Sequence, residues 1–150
     1  MTAHPKGPDA RAVWARTRLH VWPERYLLAS LPRRSLTEAA AVVGRAPGFV
    51  GLVAERDEVS LTLTEGAWKE SGLAGSAADE AGPYRVITFD VNIDLDVVGY
   101  LAPAAAHLAE AGITIVPQCA FLKDHLLVRE ADLETAVRVL EGLIEDCRRG

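Results

Sequence analysis

The chain has 150 residues, of which 49% are hydrophobic and 25% charged, and a net charge of -5 at pH 7. Those figures describe one ordinary folded domain, or two small modules sharing a core, and exclude a disordered or a membrane-spanning chain. Nucleic-acid binding draws on clustered Lys and Arg, and the basic residues here are dispersed in an acidic background, which argues against such a partner.

No stretch approaches the roughly 18 apolar residues of a membrane helix. The opening MTAHPKGPDARAVWAR lacks the apolar core of a secretory signal. Two cysteines, Cys119 and Cys147, have neither a C-x-x-C spacing nor the count of a secreted scaffold, so the expected compartment is the reducing cytoplasm.

In chain order, residues 1–16 read as a mobile lead-in. Short strands are expected at Leu19 to Trp22 and Tyr26 to Leu31. Ser35 and Glu38 have the spacing of a capping box, with Leu36, Ala39, Ala40 and Val43 at helical intervals behind it and Gly44 and Pro47 as the stop. Phe49 to Ala54 and Val59 to Leu63 read as a hairpin around Arg56-Asp57-Glu58. Residues 67–82, rich in glycine, alanine and acid, read as a linker or covering loop.

The order then repeats. Tyr84 to Val91 alternates as a strand. A helix follows with Val98, Leu101, Ala105, Leu108 and Ala111 on one side, ended by Gly112, and Ile113 to Pro117 and Leu126 to Val128 form a second hairpin. Asp132 is placed to cap a last helix whose apolar face is Leu133, Ala136, Val137, Leu140, Leu143 and Ile144. The expected fold class is α+β: two ferredoxin-like βαββαβ units at 17–66 and 83–150, with antiparallel sheets and helices packed on one face. Open sheet edges favour self-association.

The segment between the second repeat's first strand and its helix has a chemistry of its own. A helix N-terminus offers unpaired N–H groups and partial positive charge, which suits a carboxylate. Gly99 lacks a Cβ to obstruct approach, and Pro103 has no N–H for the Gly99 carbonyl, leaving an acceptor for an ammonium group. The competing reading is that Asp94 or Asp96 caps the helix and Gly99 eases packing.

Asp90, Asn92 and Asp94 match the first three ligand positions of an EF-hand loop. Leu95 and Leu101 stand where its glycine and bidentate glutamate are required, so no metal site is expected. Cys119 with His125 is the one candidate nucleophile and base, with no third group to orient them. His107 reads as solvent-facing, and Trp14, Trp22 and Trp68 as packing residues.

The run Asp94-Leu95-Asp96-Val97-Val98-Gly99-Tyr100-Leu101-Ala102-Pro103, then Ala109-Glu110-Ala111-Gly112-Ile113, then Asp124-His125-Leu126-Leu127-Val128-Arg129-Glu130, resembles the ACT domain. More narrowly it is similar to tandem-ACT proteins of bacteria and to the cytosolic arginine sensors of animals. That resemblance implies a non-catalytic regulatory protein that binds an amino acid or related carboxylate at an interface between ACT units. It implies ligand-binding residues Asp94, Leu95, Val98, Gly99 and Tyr100 in the loop, and Cys119, Ala120, Phe121 and Asp124 on the strand and turn.

Where the arginine sensors carry Ser-Thr-aromatic-Asp-Thr-Asp, this chain has Cys119-Ala120-Phe121-Leu122-Lys123-Asp124. The hydroxyls of that run and one of its carboxylates are missing, which counts against arginine. The expected partners are a small-molecule ligand, a second copy of the chain and a regulated protein, with no cofactor. The alternatives are a ligand-free dimerisation scaffold and, more remotely, an enzyme using Cys119.

Overall fold

The computed structural model describes residues 9–150. In chain order the elements are α1 (Ala10–Arg16), β1 (Arg18–Val21), β2 (Tyr26–Leu31), α2 (Leu36–Arg45), β3 (Gly51–Ala54), β4 (Val59–Thr64), α3 (Glu65–Ser71), β5 (Asp79–Asp90), α4 (Leu101–Glu110), β6 (Ile115–Cys119), β7 (Asp124–Arg129) and α5 (Leu133–Arg149). They form two compact units. The first is Trp22–Val86; the second joins the described residues up to Val21 with Ile87–Gly150.

In the first unit the strand order is β3-β4-β2-β5, with every pair antiparallel. Alternation puts Ala29 and Leu31 of β2 opposite Leu61 and Val59 of β4, and all four are buried. Ala39 and Val42 of α2 and Trp68 of α3 complete this core. The register between β2 and β5 shifts between Tyr26 and Leu28, where β5 carries Gly82 and Pro83. Gly82 has φ 147, which L side chains rarely adopt, and a Cβ there would lie 3.0 Å from the Tyr26 carbonyl oxygen, so glycine is favoured.

The second unit has strand order β1-β5-β7-β6, with antiparallel pairs β1–β5 and β6–β7. Ile87 and Phe89 from β5 and Leu126 and Val128 from β7 face Ala104 and Leu108 of α4. Ala136, Leu140 and Ile144 of α5, one turn apart, supply the other side. Both units are α+β, as the strand and helix patterning predicts.

Several local expectations are corrected. Residues 10–16, read as mobile lead-in, form α1, capped by Asp9 and burying Val13 and Trp14; residues 1–8 of that segment lie outside the described residues. The stretch read as a linker holds α3, capped by the Thr64 hydroxyl accepting from Ala67 N–H at 3.1 Å, and the start of β5. Neither Ser35 nor Asp132 makes its predicted side-chain cap. Each ends a 3₁₀ turn with ψ near zero (6° and -4°), outside the extended backbone of an N-cap that aims its oxygen along the helix. Gly44 lies inside α2, which stops instead at Ala46, extended before Pro47.

Candidate functional site

The predicted helix start at Asp94 or Asp96 does not occur. β5 ends at Asp90, and residues 91–100 form an irregular loop before α4 begins at Leu101. Asp94 turns this loop rather than capping a helix: its Oδ1 accepts from Asp96 N–H at 2.9 Å and its carbonyl from Val97 N–H at 3.0 Å. Gly99 has φ 77, with nothing within 4 Å of a Cβ built on it. Glycine is required there by backbone conformation, not by close packing. Val98, expected on the buried helix face, is 88% exposed because it lies in the loop.

Pro103 is the third residue of α4. In the first turn a backbone N–H has no intrahelical partner in any case, so proline there is an accommodation rather than a device for freeing an oxygen. The start of α4 has no side-chain cap.

The loop meets the β6–β7 hairpin. Ile93 N–H donates to the Leu122 carbonyl at 2.8 Å, and Ala120 N–H to the Lys123 carbonyl at 3.0 Å closes the hairpin turn. Lys123 Nζ lies 2.6 Å from Asp90 Oδ1 at the exit of β5, and this ammonium holds the Asp90 carboxyl below its ordinary range. Together the loop and the turn enclose a concavity of about 240 Å³. Asp94, Leu95, Tyr100, Ala120, Phe121 and Asp124 line it, six of the nine residues expected at the site.

Val98, Gly99 and Cys119 are not part of that lining. The lining residues missed from sequence are Ile93, Val97, Leu101, Leu122 and Lys123. Ile93 and Val97 lie in the irregular stretch before α4, where no period marks them; Leu101 reads as a helix-face residue, and Leu122 and Lys123 as departures from the arginine-sensor run. An adjoining, more open hollow of about 590 Å³ runs along Asn92 to Asp96 and shares Phe121 and Leu122. Leu95, Phe121 and Leu122 are 69%, 74% and 53% exposed, so the mouth is rimmed by large apolar side chains.

Tyr100 is unlike the other expected residues. It lines the concavity and yet is buried, its ring stacked on Trp14 with centroids 4.4 Å apart. Burial pushes its phenol well above the ordinary range.

Cys119 and His125 do not form a pair. Cys119 faces Asp124 across the last rung of the hairpin, and strand alternation turns the neighbouring His125 to the other face, where its Nδ1 is 2.7 Å from Thr88 Oγ1. Burial, then the hydrogen bond and negative charge of Asp124, pushes the Cys119 thiol up, away from the thiolate. Among the described residues no three His, Cys, Asp or Glu are grouped to hold a metal ion, and no helix is long and apolar enough to cross a membrane.

Residues 81–142 match the ACT domain family. In structure the chain is similar to a Vibrio cholerae protein of unknown function described as a possible transport protein, at 17% identity and TM-score 0.71, covering 89% of this chain and 94% of that one. It is also similar to the regulatory subunit of aspartate kinase from Thermus flavus (13% identity, TM-score 0.62, 83% and 95% covered). The ligand-free regulatory subunit of aspartate kinase from Thermus thermophilus is a further likeness (12%, 0.60, 85% and 97%). At these identities the likeness is one of fold. No curated protein matches the chain in sequence.

Proposed function

We propose that this protein is a non-catalytic regulatory module of two ACT-type units. In this reading it binds a free amino acid or related carboxylate at the loop of residues 91–100 and the hairpin turn of residues 120–123. The observation that carries the reading is the concavity between that loop and that turn, inside the segment matching the ACT domain. The aspartate kinase regulatory subunits of similar fold support a regulatory role over a catalytic one.

The chemistry of the lining favours one class of ligand. Lys123 on one hand and Asp94 and Asp124 on the other supply opposite charges for a zwitterion, while Ile93, Leu95, Val97, Leu101, Phe121 and Leu122 form an apolar surround. A ligand with an apolar side chain, such as leucine, isoleucine, valine or phenylalanine, suits that surround.

A second reading, a dimerisation scaffold without ligand, draws on the exposed rim of Leu95, Val98, Phe121 and Leu122. Thermal-shift titration with each of the twenty amino acids separates the two. A ligand at a hundred times its dissociation constant adds about 2.7 kcal/mol to stability, an easily read shift. The sensor reading expects that shift with apolar amino acids. No shift with any of the twenty, together with a dimer disrupted by Phe121→Asp, would replace it with the scaffold.

A further inference from the structure

Three different atoms or groups of Tyr100 are held by the seven-residue helix α1 and the residue that follows it. The Tyr100 ring stacks on the Trp14 indole at an interplanar angle of 11°. Its carbonyl accepts from Trp14 Nε1–H at 2.7 Å. Its hydroxyl lies 2.7 Å from Thr17 Oγ1, and Thr17 donates its own proton to the Val13 carbonyl at 3.0 Å, so the phenol is the donor. Tyr100 is the last residue of the 91–100 loop, directly after the left-handed Gly99, and it lines the concavity.

Seven residues are too few for an isolated helix to persist in water, so α1 exists by virtue of what it docks against. Besides Tyr100, those contacts are Phe89 of β5, whose ring meets the Trp14 indole edge-on with centroids 5.0 Å apart, and the final helix α5. Arg11 Nη2 donates to the Asp146 carbonyl at 2.6 Å, and Arg148 Nε donates to the Ala15 carbonyl at 3.0 Å. The docked position of α1 is therefore set by β5 and the final helix, and the end of the loop is held by α1 together with Phe89, whose ring centroid lies 6.0 Å from that of Tyr100.

We propose that α1 is a latch on the loop of the candidate site, with Trp14 and Thr17 as positioning residues that act through Tyr100. The proposal rests on the reading of this loop as a ligand site for its consequence, though not for its mechanics. Docking of α1 selects the loop arrangement that forms the concavity, so occupancy of the concavity and docking of α1 favour each other by linkage. An event that draws α1 away loosens the loop, and a ligand in the concavity tightens α1. Helix α1 is thus the control point of the site.

Amide hydrogen exchange on the ligand-free, full-length protein tests the mechanics. Trp14→Phe keeps an aromatic ring and removes the indole donor; Thr17→Val keeps shape and removes the hydroxyl. In each variant, amides of residues 91–99 should exchange about five- to tenfold faster than in the wild type, the loss of one hydrogen bond, with β7 amides unchanged. Loop exchange equal to wild type in both variants would overturn the latch, as would uniform acceleration through β7, which marks general destabilisation.

Thr17→Val, being the milder change, decides the matter if Trp14→Phe does not fold. Titration of the wild type and Thr17→Val with L-leucine, L-isoleucine, L-valine and L-phenylalanine then tests the linkage, with weaker binding to the variant expected and equal affinity contradicting it. Absence of binding to the wild type would count against the proposed function while the exchange result still decides the latch.

Discussion

The two units join a strand to the following helix in contrasting ways. In the first, β2 passes to α2 through residues 32–35, a single 3₁₀ turn closed by Ser35 N–H donating to the Pro32 carbonyl at 2.8 Å. In the second, β5 passes to α4 through the irregular loop of residues 91–100. Four residues suffice to reverse the chain; ten leave a segment that lies over the β6–β7 turn and forms a concavity with it. The comparison teaches that the same strand and helix order carries a candidate site only where the connection is long enough to have a surface of its own.

Paired glycine substitutions break this comparison most directly. Gly44 is the penultimate residue of α2, in helical backbone with nothing within 4 Å of a new Cβ, so Gly44→Ala should stabilise the protein by about 0.4–1 kcal/mol. Gly99 is equally open but has φ 77, and Gly99→Ala should destabilise by about 1–2 kcal/mol through backbone strain alone. Denaturant unfolding of the two variants reads both. A Gly99→Ala protein as stable as wild type would mean that the loop does not hold the left-handed turn on which its shape depends.

A smaller effect sharpens the electrostatic side. Lys123 keeps the exposed Asp90 carboxyl below its ordinary value, so the pair contributes above the unfolded-state pKa and its contribution is lost as pH falls through the folded one. In Lys123→Met the Asp90 pKa should rise to the ordinary carboxylate range, read by NMR titration of its side-chain carbonyl. An Asp90 pKa unchanged in that variant would show that the ion pair at the exit of β5 does not form in solution.

The regular parts of the fold were legible because burial imposes a period on the sequence. β4 alternates Val59, Leu61 and Leu63, and α5 repeats Ala136, Leu140 and Ile144, and both are found as expected. The loop was not legible for the same reason. Val98, Leu101 and Ala105 mimic helical spacing although Val98 is in solvent, and the left-handed turn at Gly99, which ends the loop, looks in sequence like any small residue.

α3 escaped because its Gly, Ala and acidic composition resembles a linker, although Thr64 and Trp68 were the signal of a cap and a buried face. The candidate site was half legible: the resemblance to the ACT domain, rather than any local pattern, pointed to Phe121 and Asp124 at the turn. That Ile93 would bond to Leu122, and that Trp14 would reach Tyr100 across 86 residues, depends on tertiary placement that no local pattern encodes.

Backbone NMR of the isotopically labelled chain, titrated with L-leucine and L-phenylalanine, locates the bound amino acid residue by residue. Saturable shifts are expected to concentrate in residues 92–97 and 120–124, with weaker ones at Trp14 and Thr17. Shifts confined to residues 32–35 and their surroundings, or none at saturating amino acid, would contradict binding at the loop and turn.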